Sequence, residues 1–189
     1  MKIEKIVVAS GNAGKIKEIK NIFKGVEVIP MKDLGFNQDV EETGKTFKEN
    51  AYIKALAVCK ALNLPTLSDD SGLCVNALNG APGVYSARFS GEGEKANRAL
   101  LLNKLQNITN REAYFETSVC LCFPDGKTVF GEGKTYGKIL QEEIGKNGFG
   151  YDCIFYSNDL KKSFGLATDE EKNGVSHRYR ALCDLFSKL

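Results

Sequence analysis

Ile6-Val7-Val8-Ala9-Ser10-Gly11-Asn12-Ala13-Gly14-Lys15 is the stretch on which the reading of the fold turns. Its first four residues form a continuous apolar run, which suits a strand buried on both faces. Gly11 and Gly14 break the run. From Lys15 to Phe23 the pattern becomes helical, with Ile16, Ile19 and Phe23 on one face. Val26 to Met31 reads as a second strand. The chain therefore opens with a βαβ unit, the signature of an α/β protein.

Beyond that unit, Lys32 to Gly44 is polar and reads as loop. Thr46 to Leu62 reads as a long helix with Ala51, Ala55, Val58 and Leu62 on one stripe. Leu64 to Ser68 leads into a short strand expected to end at Asp69-Asp70, and Gly72 to Leu78 suggests a separate strand. Asn79 to Gly93 reads as loop and Glu94 to Leu105 as helix. Ala113 to Phe123 and Thr128 to Tyr136 are two long strands joined by Pro124-Asp125-Gly126-Lys127, a hairpin signal. Gly131 to Gly150 holds six glycines, which predicts an irregular backbone open to a ligand. A short strand over Cys153 to Tyr156, a helical turn over Asp169 to Lys172 and a helix over Val175 to Leu189 close the chain. The hairpin argues against a wholly parallel sheet, so the expected class is α/β with a mixed sheet. With no repeat or linker, residues 1–189 read as one domain.

Composition limits the function. Of 189 residues, 42% are hydrophobic and 26% charged, as in an ordinary globular protein. The net charge is +2 with both signs interspersed, so no basic stripe points to a polymeric nucleic acid. A small anionic ligand needs only local positive charge. Six cysteines without a C-x-x-C pair, and a single histidine, argue against zinc. Most of the cysteines sit among apolar neighbours and read as buried free thiols. Met1 to Ala9 is too short and too charged for a signal peptide. No apolar run reaches the roughly 18 residues of a membrane span. A cytoplasmic protein is expected.

Five segments carry chemistry. Ser10 to Lys15 places free helix N–H groups, glycines and a lysine where a phosphate could sit. It is not a Walker A loop, because Gly11 and Gly14 are too close and Ile16 follows the lysine. A plain βα turn with Asn12 near the N-cap fits it equally well. Glu41-Glu42-Thr43-Gly44 and Asp69-Asp70-Ser71-Gly72 offer Glu42 and Asp70 as magnesium ligands, or simply a cap and a turn. In Gly148-Phe149-Gly150-Tyr151-Asp152 an aromatic next to glycine, with an acceptor three residues on, could stack on a base; it also fits a turn before a core strand. Ser176-His177-Arg178 puts the sole histidine beside an arginine at a helix start, with Ser176 as the expected N-cap, and a structural role is the competing reading.

In this order the segments resemble the inosine triphosphate pyrophosphatase family, which hydrolyses non-standard purine nucleoside triphosphates. Gly80-Ala81-Pro82-Gly83-Val84-Tyr85-Ser86-Ala87-Arg88 adds a further match, and the resemblance runs from residue 10 to residue 178. It implies a long curved mixed sheet flanked by helices, in two lobes with the active site in the cleft between them, and a homodimer. It also implies roles. Ser10, Gly11, Asn12, Ala13, Gly14, Lys15 and Lys54 would hold phosphates. Glu42 and Asp70 would bind Mg²⁺, with Asp70 also the general base. Ser71 and Lys172 would contact substrate. Phe149, with Gly150 and Tyr151 beside it, would stack on the purine, and Asp152, His177 and Arg178 would read its edge. Two departures stand out: Cys153 where a proline is usual, and Asn76 where an aspartate is common.

The implied reaction splits ITP, dITP or XTP into the monophosphate and pyrophosphate, cleansing the nucleotide pool. Two alternatives compete with it. A Maf-type pyrophosphatase of modified pyrimidine nucleotides would lack the Phe-Gly-Tyr-Asp and Ser-His-Arg segments. A nucleotide-binding sensor would not need a general base.

Overall fold

The structure is a computed structural model that describes residues 3–23 and 25–189. Met1 and Lys2, part of the segment read for targeting, lie outside the described residues. Among the described residues, seven strands form one mixed sheet in the order β2-β1-β3-β4-β5-β6-β7. They are β1 (Lys5–Val8), β2 (Glu27–Pro30), β3 (Thr66–Val75), β4 (Glu112–Cys122), β5 (Thr128–Ile139), β6 (Phe155–Ser157) and β7 (Lys162–Ser163). The helices are α1 (Ala13–Ile22), α2 (Phe47–Leu62), α3 (Glu94–Lys104), α4 (Asp169–Val175) and α5 (His177–Phe186). β1 pairs in parallel with β2 and β3, while β6 pairs antiparallel with β5 and β7. The chain divides into two compact units. One contains residues 1–70, 117–133 and 178–189, and the other residues 71–116 and 134–177.

The first unit has three layers. Ile6, Val8, Leu67, Val119 and Leu121 on one sheet face pack against Ile19 and Phe23 at α1 and against Ala181, Leu182 and Leu185 of α5. On the other face Val7 and Ala9 meet Val58 of α2, and Cys120 and Cys122 meet Ala51, Ala55 and Cys59. Each strand residue thus serves one helical layer or the other by its parity. The helix α2 is well bounded. Thr46 and Glu49 form a reciprocal capping box at its start, and Asn63 closes it in the left-handed conformation with φ 52°.

The second unit builds its own core from Leu73 and Val75 of β3, Leu101 of α3, and Phe115, Ile139, Phe155 and Phe164. Phe115, Phe155 and Phe164 form a ring cluster with centroids 4.7–6.3 Å apart.

Three expectations need correction. The break at Asp69-Asp70 does not exist, because β3 runs unbroken from Thr66 to Val75. Aspartates usually signal turns by bonding their own backbone, but here both carboxylates are engaged by distant partners, which frees the backbone to stay extended. The irregular glycine-rich stretch is also partly wrong, since Gly131, Gly133 and Gly137 lie within β5. Gly131 is there for close approach: a Cβ on it would collide with the Ala181 carbonyl of α5. Likewise, a Cβ on Gly137 would strike the Tyr156 carbonyl of β6. Finally, Asp152–Ile154 is a 3-10 turn, so the short strand starts only at Phe155.

Candidate active site

In the first unit, Asn12 caps α1, its Oδ1 accepting the Lys15 N–H at 3.0 Å. The Ser10 hydroxyl accepts the Asn12 N–H at 3.2 Å. The turn is therefore both a capped βα turn and a row of helix N–H groups, so the two readings of Ser10 to Lys15 are compatible. Gly11, Asn12 and Ala13 are exposed there, so the end of the helix is open. Behind it, the Lys15 ammonium lies 3.2 Å from Asp69 Oδ2, with its side chain 15% exposed. Burial lowers the Lys15 pKa, and the Asp69 carboxylate is the largest counterweight.

Glu42 and Asp70 converge on one cation. Lys54 Nζ stands 2.7 Å from Glu42 Oε1 and 3.7 Å from Asp70 Oδ1, and it donates to the Asp69 carbonyl at 2.8 Å. Burial disfavours the charge on Lys54, but Asp70, Asp69 and Glu42 outweigh it and raise the pKa. For Asp70 burial is the leading effect and raises the pKa, opposed by Lys54 and Lys15 and reinforced by Glu42. The Asp70 carboxyl is thereby a stronger base than a free aspartate.

Asn50, which carried no assigned role in the sequence, links these parts. Its amide donates to Asp70 Oδ2 at 3.0 Å, and its Oδ1 accepts the Gly44 N–H at 2.8 Å. It thereby ties the Glu42-Thr43-Gly44 loop to β3. The signal available in the sequence was its place next to Ala51 of the apolar stripe of α2, and the structure buries it fully.

Arg178, at 1% exposed, is the most deeply engaged cation. Its Nε and Nη2 donate to Asp69 Oδ2 at 3.2 and 2.9 Å, and Nη1 pairs with Glu18 of α1. Asp69 and Glu18 are the partners that sequence reasoning missed. Glu18 lies beside Ile19 and Ile22 in α1 and is itself buried, an acid that the apolar stripe partly encloses.

The second unit holds a different set. Lys172 Nζ, buried in α4, pairs with Asp152 Oδ2 at 2.6 Å and lies 4.7 Å from the centre of the Phe149 ring. The same Asp152 oxygen accepts the Phe149 N–H at 2.9 Å. The His177 ring stacks on Phe115 at 4.8 Å. Tyr151 donates its hydroxyl to the Ser86 carbonyl at 2.7 Å, which makes it a core anchor of this segment. Ser176 closes α4, its N–H bonded to Lys172 O at 2.8 Å. Ser71 lies within β3 and Gly150 accepts Arg98 at 2.9 Å through its carbonyl.

The fold and these clusters place the chain among mixed-sheet α/β proteins that combine an open, capped strand-turn-helix with a buried lysine held by an acidic pair. The Ham1 family model matches residues 6–188, and the chain belongs to that family. It is 46% identical over 182 residues to the dITP/XTP pyrophosphatase of Staphylococcus aureus strain MRSA252, covering 95% of this chain and 93% of that one. Identity to the dITP/XTP pyrophosphatase of Thermoanaerobacter pseudethanolicus is 47% over 187 residues, 96% and 94% of the two chains. The solved Staphylococcus aureus Ham1 protein matches with TM-score 0.86 at 46% identity, over 97% of this chain and 98% of that one. A HAM1 protein from Coxiella burnetii matches with TM-score 0.87 at 36% identity, over 98% of each.

Proposed function

We propose that this chain is a nucleoside triphosphate pyrophosphatase acting on the non-standard purine nucleotides dITP, ITP and XTP. The observation that carries the reading is the convergence of Glu42 and Asp70 on Lys54. Two carboxylates held by one ammonium, with a phosphate-binding turn in the same unit, suit in-line attack on a phosphoanhydride. Pyrophosphatase relatives at 46–47% identity over nearly the whole chain support it.

The donor set fits magnesium. Glu42 and Asp70 supply hard oxygen ligands, and Mg²⁺ takes one or two carboxylates with phosphate oxygens and water completing its shell. When bound, the ion neutralises charge that develops on the phosphates. The chain's own groups do the rest. The turn Ser10 to Lys15 holds phosphate oxygens through helix N–H groups and the Lys15 ammonium. Lys54 offsets negative charge and keeps Asp70 in place. Asp70 orients or deprotonates the water that attacks the α-phosphorus, and pyrophosphate leaves.

In the second unit, Phe149 stacks on the purine. Asp152, His177 and Lys172 meet its polar edge or the sugar, with Ser71, Gly150 and Tyr151 shaping the surroundings. Arg178 serves the base through the backbone it shares with His177 as much as through its own engaged guanidinium. Donors aimed at the 6-keto oxygen would be left unpaired against the 6-amino group of adenine. Each unpaired group costs roughly 1–3 kcal/mol, so two give about a hundredfold discrimination.

We further infer that residues 1–189 work as one catalytic domain, that the enzyme is a cytoplasmic homodimer and that it has no polymeric nucleic acid or membrane partner. Among the described residues no helix is long and apolar enough to cross a membrane. The deciding experiment compares pyrophosphate release from ITP, dITP and XTP with that from ATP and GTP, with and without Mg²⁺. Preference for the first three supports the reading. Equal rates on all five overturn the selectivity, and orthophosphate in place of pyrophosphate overturns the site of attack.

A further inference from the structure

Strand β3 carries two consecutive aspartates, and only Asp70 has a role in the chemistry above. We propose that Asp69 is a positioning residue for the triphosphate, acting through Lys15, whose ammonium it holds against the first turn of α1 while Arg178 fixes Asp69 itself. The inference rests on the pyrophosphatase reading.

The geometry separates this from a bridge that merely holds the fold together. A carboxylate that only neutralises a buried arginine frequently meets the guanidinium fork with both oxygens. Asp69 does not. Its Oδ2 alone receives Arg178 Nε at 3.2 Å, Arg178 Nη2 at 2.9 Å and Lys15 Nζ at 3.2 Å. Its Oδ1 is buried with no hydrogen-bond partner among the described residues. A buried acceptor left unmade costs about 1–3 kcal/mol. The carboxylate is thus turned so that one oxygen serves two cations at once, at the expense of its own satisfaction. Glu18 takes the remaining side of Arg178, which keeps the arginine from swinging away. Lys15 is the mobile member of this chain, a flexible stem with a charge disfavoured by burial, and Asp69 is its strongest attraction. Without Asp69 the ammonium loses the carboxylate that fixes it.

The test uses pyrophosphate release from ITP with Mg²⁺ by wild type, Asp69→Asn, Lys15→Met and the double variant, together with a thermal melt of each. Asp69→Asn is expected to raise KM about ten- to hundredfold, the worth of a hydrogen bond to a charged group, while kcat falls far less. KM is independent of how much of the sample is folded. The double variant is expected to match Lys15→Met, because both changes remove one effect. A wild-type KM in Asp69→Asn, or a double variant at least tenfold worse than Lys15→Met, overturns the proposal. If Asp69→Asn yields no folded enzyme, the comparison of the double variant with Lys15→Met decides alone, and a double variant that also fails to fold counts against the proposal. Wild type that releases no pyrophosphate from ITP, dITP or XTP sinks the pyrophosphatase reading instead.

Discussion

Asp69 and Asp70 are neighbours in β3 whose carboxylates serve opposite faces of the sheet, Asp69 Oδ2 lying 3.2 Å from Lys15 of α1 and Asp70 Oδ2 3.0 Å from Asn50 of α2. The alternation of a strand dictates this. Leu67 and Asp69 face the α1 and α5 layer, while Ser68 donates to the Ala51 carbonyl of α2 and Asp70 meets Asn50. Two adjacent acids thus escape mutual repulsion, each with its own cation, and the strand stays extended through them.

Replacing Asp70 by Asn tests its role as base. The amide still accepts from Asn50, so the fold is expected to survive with an unchanged circular dichroism spectrum. Turnover is expected to fall at least about a hundredfold, the usual worth of a positioned proton acceptor. A fully active variant would remove Asp70 from the mechanism.

Glu42 tests the metal reading. Glu42→Gln keeps the size of the side chain and loses one charge on Lys54. The concentration of Mg²⁺ giving half-maximal pyrophosphate release should rise about tenfold or more, and isothermal titration of Mg²⁺ against the nucleotide-bound variant should show the same weakening. Chelation by EDTA should abolish turnover reversibly.

Acid should weaken the first unit through Asp69. Burial alone would raise its carboxyl pKa, but Lys15, Arg178 and Lys54 hold it well below the ordinary value of 3.8. A carboxyl depressed in the folded state contributes stability that is fully present above its unfolded value. That stability declines as pH falls below about 3.8 toward the folded pKa. Urea melts between pH 7 and pH 3 should show this decline, and Arg178→Met should flatten it. Arg178→Met should also cost about 3–5 kcal/mol at pH 7, because it removes a buried partner from two buried carboxylates, Asp69 and Glu18.

Gly131 and Gly174 should respond to alanine in opposite directions. At Gly131 a Cβ meets the Ala181 carbonyl and stands 2.6 Å from Leu185 N, so Gly131→Ala should lose about 3 kcal/mol or fail to pack α5. At Gly174 of α4 an added Cβ has nothing within 4 Å, so Gly174→Ala should gain up to about 1 kcal/mol. Chemical denaturation of both variants makes the comparison.

The thiols should react unequally. Burial pushes Cys59 and Cys74 up to about 11 and Cys120 up to about 12, whereas Cys183 is exposed. At pH 8 a disulfide reagent should modify Cys183 within seconds and leave Cys59, Cys74 and Cys120 untouched until denaturant is added. Mass mapping of the labelled peptides reads the order.

Local signals explain much of what was legible in the sequence. The apolar run Ile6 to Ala9, the glycine turn and the amphipathic α1 are encoded by residues a few positions apart. The same holds for the Pro124 to Lys127 hairpin. The segments around Glu42, Asp70, Phe149 and His177 could be picked out because their residue types were unusual for their place. What the sequence left undecided was pairing across long separations. Asp69 looked like the end of a strand, since nothing nearby in the chain shows that its charge is met by Lys15, Arg178 and Lys54. Gly137 fell beyond the expected strand and Gly131 was counted in both the strand and the irregular stretch, since only packing reveals the α5 and β6 backbones pressed against them. Asn50 and Glu18 carried no role in the sequence, since their partners Asp70 and Arg178 lie far along the chain.

By itself, then, the chain determined its elements, its mixed α/β class and the residue types available for phosphate chemistry, because helix periods, strand alternation and turn preferences act over a few residues. Only the tertiary structure decided which carboxylate faces which cation. That choice depends on the parity of β3 and on three helices brought to it from distant parts of the sequence, and burial makes any unpaired charge there too costly to leave.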